Sequence, residues 1–320
     1  MILAGDLGGT KCNLGLFDAQ QAKLERTAAK RYATQEHANF DEIVQDFLRE
    51  TGAKVTAASF GIAGPVVDNT VHGTNMPWGV DGAHMARLLG VPRVRLMNDL
   101  EAAAFGIGVL EPKDLETLHA GLNVPQANRA VIAAGTGLGE GILFWDGKQH
   151  LPIATEAGHS DFAPNTEQQV ELWCYLKSRS EFVTCESILS GRGFQRVHEF
   201  LDASVRHAGF DDHTIDPAPE IARRGLSGEC PVCAATLDLW VEIYGAEAGN
   251  LALRCVARGG IYITGGIAVK ILPKLRNGKF AAAVKHKEKL GEFLEKIPIH
   301  IVLNEECPLL GAAFVAWKGL

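Results

Sequence analysis

Ile2-Leu-Ala-Gly-Asp6-Leu-Gly-Gly-Thr10-Lys-Cys-Asn-Leu-Gly-Leu-Phe17 is two short apolar runs joined by a glycine–threonine turn. Residues 2–7 and 12–17 have strand character, and Gly8-Gly9-Thr10 links them as a hairpin. Glycines at 8 and 9 let main-chain N–H groups face an anion, and Thr10 adds a hydroxyl donor. Asp6 stands at the end of a buried strand, where a carboxylate needs a partner. A hydrated Mg²⁺ suits it, because that ion keeps its waters and needs few carboxylates. The competing interpretation is a plain hairpin turn.

The same design returns later. Ala130–Ala134 enters Gly135-Thr136-Gly137-Leu138-Gly139, and Gly141–Phe144 leaves it. A third glycine turn, Thr264-Gly265-Gly266, lies between the strand Ile261–Thr264 and a helix, whose N-terminus favours an anion. Single glycine turns are common; three flanked by strands in one chain are not. None is a GxxxxGK[ST] loop or a strand–GxGxxG–helix site. Strands alternating with helices give an α/β fold, and the repeated hairpin suggests two lobes built on one plan, each offering a turn to a shared cleft. The expected division is a small domain of 1–109 plus 303–320 and a large domain of 110–302. Helices are expected at 40–50, from Asn98-Asp99 to Ile107, at 167–176, at 237–256 and near the C-terminus from about Leu309. In the 237–256 helix, small residues at Gly245, Ala246, Ala248, Gly249 and Ala252 allow another backbone to pack closely.

Asn98-Asp99 follows a strand and opens a helix, a place that displays side chains over the carboxyl edge of an open sheet. Helix capping is the plainer role for either residue. Glu156-Ala-Gly-His159 sets an acid beside an imidazole, and Glu186 precedes a Leu-Ser-Gly-Arg-Gly loop. Carboxylates, imidazoles and amides are the groups that match sugar hydroxyls, each of which both donates and accepts.

The chain has 320 residues, 47% hydrophobic and 22% charged, with a formal net charge of −7. Those values fit an ordinary globular protein with a substantial core, and the negative balance argues against a nucleic-acid partner. No apolar stretch approaches the ~20 residues of a membrane span, and the N-terminus lacks the basic start of a secretory signal. Seven cysteines without framework spacing fit reduced thiols in a cytoplasm. Cys230-Pro-Val-Cys233 has the spacing of half a zinc site, but a zinc site needs about four ligands and no second pair sits near it in sequence, so two inert thiols beside a helix start are expected.

At these residues the chain resembles the bacterial glucokinase family, within the superfamily of actin-like ATPases, hexokinases and sugar kinases. The likeness covers nearly the whole chain. It runs through Gly5–Thr10, Gly61-Ile-Ala-Gly-Pro65, Asn98-Asp99, Gly135–Gly139, Glu156–Pro164, Glu186–Gly191, Gly249–Leu253 and Ile263–Ile267. Ser160–Pro164 follows His159 where the related repressor–kinase family has a Cys-rich zinc motif, which favours the zinc-free glucokinases; Lys11 looks more like the repressor–kinase relatives. The resemblance implies a two-lobed actin-like ATPase (ribonuclease H-like) fold with a ligand cleft between lobes, and transfer of the ATP γ-phosphate to the glucose 6-hydroxyl. In that scheme Asp99 is the general base. Asn75, Asn98, Glu156, His159 and Glu186 hold the other hydroxyls. Asp6 positions Mg²⁺ through water, and Gly8, Gly9, Thr10, Gly135, Thr136, Gly137, Gly265 and Gly266 hold ATP. A homodimer is implied as well. The rivals are a kinase for another hexose or an amino sugar, a sugar-sensing regulator, and a polymerising ATPase. The regulator would need a helix-turn-helix ahead of a first strand that here begins at residue 2. The polymerising ATPase leaves Glu156 and His159 without a purpose.

Overall fold

In the computed structural model, which describes residues 1–20, 23–72, 76–207, 210 and 215–320, the chain folds as two compact α/β units. The first comprises Met1–Glu111, His150–Ala154 and Asn304–Leu320; the second comprises Pro112–Gln149 and Thr155–Leu303.

In the first unit the strand Ile2–Leu7 pairs antiparallel with Lys11–Gln20 and parallel with Ala57–Ile62, which pairs parallel with Val94–Asn98. Lys23–Ala33 forms the outer edge beyond Lys11–Gln20. Alternation along the first strand sends its side chains to two cores. Leu3 and Leu7 join Leu14, Phe40, Phe47 and Phe60 under the helix Phe40–Thr51. Ile2 and Ala4 join Phe17, Leu309, Ala312 and Ala313 beneath the helix Cys307–Lys318.

That closing helix lies close against Asp99–Ile107. A Cβ placed on Gly311 would stand 1.8 Å from the Ala102 carbonyl oxygen and 2.6 Å from the Gly106 nitrogen. Both obstacles are backbone, so the helices would have to separate. Gly311→Ala is therefore expected to cost about 2 kcal/mol net, even after alanine's better helix propensity returns roughly 1 kcal/mol. Urea unfolding measures this; an unchanged midpoint would contradict the packing.

In the second unit the strand order is Leu138–Trp145, Arg129–Ala134, Ile261–Thr264, Ile299–Val302, Leu115–His119. The hairpin 129–145 is antiparallel, and Arg129–Ala134, Ile261–Thr264 and Ile299–Val302 run parallel. Each unit thus has an antiparallel hairpin followed by parallel strands. The helix expected over 237–256 begins earlier, at Pro231, and ends at Cys255. Proline at the first helical position loses no hydrogen bond, and the Cys230 Sγ caps the start by accepting from the Cys233 N–H. Its small residues do receive a close neighbour, since a Cβ on Gly245 or Gly249 would stand 2.5 Å from Phe280 O or 2.4 Å from Val284 O. Two buried aromatics on this helix reach across the core. Trp240 Nε1 donates to Ile188 O at 2.9 Å and the Tyr244 hydroxyl to Ile132 O at 3.4 Å. The stretch 211–219 is polar and contains prolines, which predicts a loop; residues 211–214 lie outside the described residues, and the helix Ala218–Ser227 begins within the stretch.

Candidate functional site

In the first unit, Leu7 lies opposite Ile62, and Ile62 opposite Asn98, so three parallel strands end at one level. At that carboxyl edge stand Asp6, the Gly61–Pro65 turn and Asn98-Asp99. Asn98 rather than Asp99 is the cap of the helix. Its Oδ1 accepts from the Leu100 N–H at 2.8 Å and its Nδ2 donates to Gly64 O at 3.1 Å, tying the turn to the helix. Asp99 is the first helical residue, half-buried, and its Oδ1 also accepts from the Leu100 N–H at 2.8 Å. The sequence-based role of Asp99 as a simple cap is thus already filled by its neighbour.

The first glycine turn is held from behind. Gly8 N–H donates to Lys11 O at 2.8 Å, Thr34 Oγ1 donates to Gly8 O at 2.8 Å and Gln35 Nε2 to Gly9 O at 2.9 Å. Thr10 is exposed beside it. Asp6 accepts from Asn13 Nδ2 at 3.2 Å, and Arg31 Nε donates to Asn13 Oδ1 at 2.9 Å. The near guanidinium therefore engages Asn13. Burial raises the Asp6 carboxyl above its ordinary range, opposed only in part by the Asn13 hydrogen bond and the Arg31 charge. A buried carboxylate short of countercharge suits a hydrated divalent cation, so the residues present fit Mg²⁺.

In the second unit the glycine turns stand side by side. Ala133 lies opposite Thr264, and Gly265 has φ 90° with its Cα so close to Ala134 that a Cβ would be 2.6 Å from that residue's carbonyl oxygen. Any other side chain is barred there by conformation and contact together. Gly135 and Gly266 differ: a Cβ on either meets no atom within 4 Å. Neither packing nor a left-handed backbone requires glycine at these two positions. The helix after Gly265, Gly266–Lys270, has five residues, so its dipole is weaker than the sequence suggested.

Glu186 joins the turn to His159. Its Oε2 accepts from the Leu138 N–H at 2.8 Å, and a Cβ on Gly137 would lie 2.4 Å from that same oxygen. Its Oε1 lies 3.9 Å from His159 Nδ1. Backbone bonds fix the arrangement: Glu186 N–H to Gly158 O at 2.9 Å, Cys185 N–H to Ser160 O at 2.9 Å and Gly191 N–H to Gly135 O at 2.9 Å. Glu156 precedes and His159 ends a single 3₁₀ turn, Ala157–His159, and both are exposed. The structure thus brings Glu186, His159 and the Gly137–Leu138 turn together, with Glu156 three residues from His159. Asn75 lies outside the described residues.

Sequence reasoning passed over Thr155 and a buried charge cluster. Thr155 Oγ1 donates to Glu140 O at 2.7 Å and accepts from the Ala157 N–H at 3.2 Å, pinning the 156–159 segment to the hairpin. Glu140 is fully buried; Arg254 Nη1 bridges it to Glu247, at 3.3 and 2.7 Å. Burial, then the adjacent Glu247 charge, raises the Glu140 carboxyl well above the usual carboxylate range. The available signal was an acid inside an apolar strand, Leu138-Gly-Glu140-Gly-Ile-Leu-Phe-Trp145.

A family model for glucokinase matches residues 3–318. A curated glucokinase from Nostoc sp. is 37% identical, covering 99% of this chain and 98% of its own. Among solved structures, a glucokinase from an Antarctic psychrotroph superposes with a TM-score of 0.87 at 26% identity, covering 99% of this chain and 98% of that one. A ROK-family glucokinase from Streptomyces griseus, in complex with glucose and AMPPNP, has a TM-score of 0.69 at 21% identity, with 99% of each chain covered; it speaks to the fold.

Proposed function

Because the chain belongs to the glucokinase family, it is an ATP-dependent kinase that converts glucose to glucose 6-phosphate, and we propose that its two units divide the work of that reaction. The first unit supplies the general base and the metal position. Asp99 accepts the proton of the 6-hydroxyl as that oxygen attacks the γ-phosphorus of ATP, and ADP leaves. Asn98 holds Asp99 at the strand edge through its bonds to Leu100 and Gly64 and offers its remaining amide hydrogen to the sugar. Asn75 joins the sugar-binding set. Asp6 would hold Mg²⁺ through water, with Gly8, Gly9 and Thr10 beside it. The ion, when bound, neutralises charge on the phosphates.

The second unit supplies recognition. Glu156, His159 and Glu186 hold the other sugar hydroxyls, while Gly135, Thr136, Gly137, Gly265 and Gly266 let the nucleotide approach main chain. The observation that carries this reading is Glu186, whose two carboxylate oxygens face Leu138 N–H of the glycine turn and His159. Phosphoryl transfer needs positioning more than covalent help, and one rigid carboxylate orders both substrates' surroundings.

Turnover with ATP across glucose, mannose, galactose, fructose, glucosamine and N-acetylglucosamine tests the sugar. Glucose should give the highest kcat/KM, and 6-deoxyglucose no product; a higher kcat/KM for an amino sugar would overturn the choice. The open space at Gly135 gives a separate expectation. Gly135→Ala should leave the thermal melt unchanged and raise KM for ATP about tenfold, equivalent to about 1.4 kcal/mol of lost binding. An unchanged KM for ATP would remove Gly135 from the nucleotide site.

The resemblance further supports a homodimer, testable by sedimentation. Seven free cysteines support a reducing cytoplasm, where the product would feed glycolysis. Among the described residues no helix is long and apolar enough to cross a membrane.

A further inference from the structure

No histidine lies between residues 214 and 285, yet the fold brings two to Cys230 and Cys233. His198 comes from the helix Gly191–Asp202, and His207 from the segment that follows it. One donor atom from each of the four residues lies within 4.8 Å of the other three. Cys233 Sγ and His207 Nε2 are 3.2 Å apart. Zinc bonds of about 2.3 Å to sulfur and about 2.0 Å to nitrogen place tetrahedral ligand atoms about 3.3–3.8 Å from one another. The four side chains therefore stand within small rotations of a closed tetrahedral shell.

A second observation is independent of the clustering. His198 is fully buried, and neither of its ring nitrogens has a hydrogen-bond partner among the described residues. Buried polar groups are almost always paired, and one that is not needs an explanation. Around it stand His207 and Phe210, with ring centroids 5.3 and 5.0 Å away. The Cys233 N–H donates to Cys230 Sγ at 3.3 Å, the kind of bond that orients a ligating thiolate.

The geometry points to a structural zinc site of composition Cys₂His₂, formed by Cys230, Cys233, His198 and His207. Two thiolates and two neutral imidazoles cancel the charge of a divalent ion, so no net charge is buried. Two soft sulfur and two imidazole donors in tetrahedral array select zinc over magnesium or calcium. Four protein ligands leave no open position, so the site holds structure and performs no chemistry. It is separate from the Cys-rich motif of the repressor–kinase relatives, which would follow His159. The ion would clamp the helix Gly191–Asp202 to the start of Pro231–Cys255. The first of these helices begins at the Gly191–Gly135 bond, and the second sends Trp240 to Ile188, so both lead to the Glu186 loop.

The full chain, expressed with zinc in the medium and desalted, is expected to carry about one zinc per chain by elemental analysis. Cys230→Ser/Cys233→Ser should carry almost none, whereas Cys174→Ser, at an exposed cysteine, should keep it. Chelation should lower the thermal midpoint of the wild-type chain and leave that of the double variant unmoved. Should the double variant fail to fold, cobalt(II) titration of the metal-free wild type decides: an intense visible spectrum of tetrahedral cobalt with thiolate charge transfer, saturating at one equivalent, is expected. Less than about a tenth of a zinc per chain together with no such spectrum overturns the site. So does zinc retained in full by a folded double variant.

Discussion

Replacing Asp99 with asparagine is expected to lower kcat by roughly 10²–10⁴-fold, the usual contribution of a general base, with the thermal midpoint held. The structure makes the second half of that expectation firmer. Asn98 carries the cap, with its Oδ1 2.8 Å from the Leu100 nitrogen. The Asp99 Oδ1 that accepts from the same N–H has a counterpart in the asparagine side chain. What the substitution removes is proton-accepting capacity, which neither shape nor capping can replace. The measurement is kcat at saturating glucose and ATP, with KM for glucose and a melt on the same preparation. A folded Asp99→Asn protein turning over at near wild-type rate would end the assignment.

Glu186 is expected to show the next largest effect, and two substitutions separate its two oxygens. In Glu186→Gln the amide oxygen can still accept from Leu138 N–H, so the glycine turn keeps its support, while the charge facing His159, proposed to hold the sugar, is lost. A hydrogen bond to a charged group is worth about 1.5–3 kcal/mol, so KM for glucose should rise by roughly 10- to 100-fold with KM for ATP nearly unchanged. Glu186→Ala also strips the acceptor from Leu138 N–H, and both KM values should rise. If glucose KM stays at the wild-type value in both variants, Glu186 serves the turn alone.

The parts that could be read from the sequence were those with local causes. Gly8-Gly9-Thr10 and Gly135-Thr136-Gly137 sit between apolar runs, and hairpins are what such strings form. Asn98-Asp99 sits where a period of two gives way to helix. The edge strand Lys23–Ala33 escaped, because its mostly exposed, polar residues have no apolar rhythm and take their register from the neighbouring strand. The start of the long helix was legible in Pro231, which fits a first helical position, but the helix was read only from Leu237. Glu186 was picked out as a sugar ligand, but its grip on Leu138 spans 48 residues and has no local trace. The same holds for His198 and His207: Cys230 and Cys233 lack partners in sequence and acquire them only through the packing of two helices.

The closing helix Cys307–Lys318 has a consequence for how the protein is made. It covers the face of the first sheet formed by Ile2, Ala4 and Phe17, residues synthesised about 300 positions earlier. Domains generally fold as they emerge, N-terminal ones first. Here that order cannot hold. The second unit, nearly continuous in sequence, can complete itself while the first waits with one side of its sheet uncovered until residues 307–318 leave the ribosome. During that interval the apolar face is available to chaperones or to other nascent chains, so folding of the first unit waits on residues 307–318. A released chain truncated before residue 307 should accordingly be protease-sensitive across residues 1–111 and resistant across the second unit.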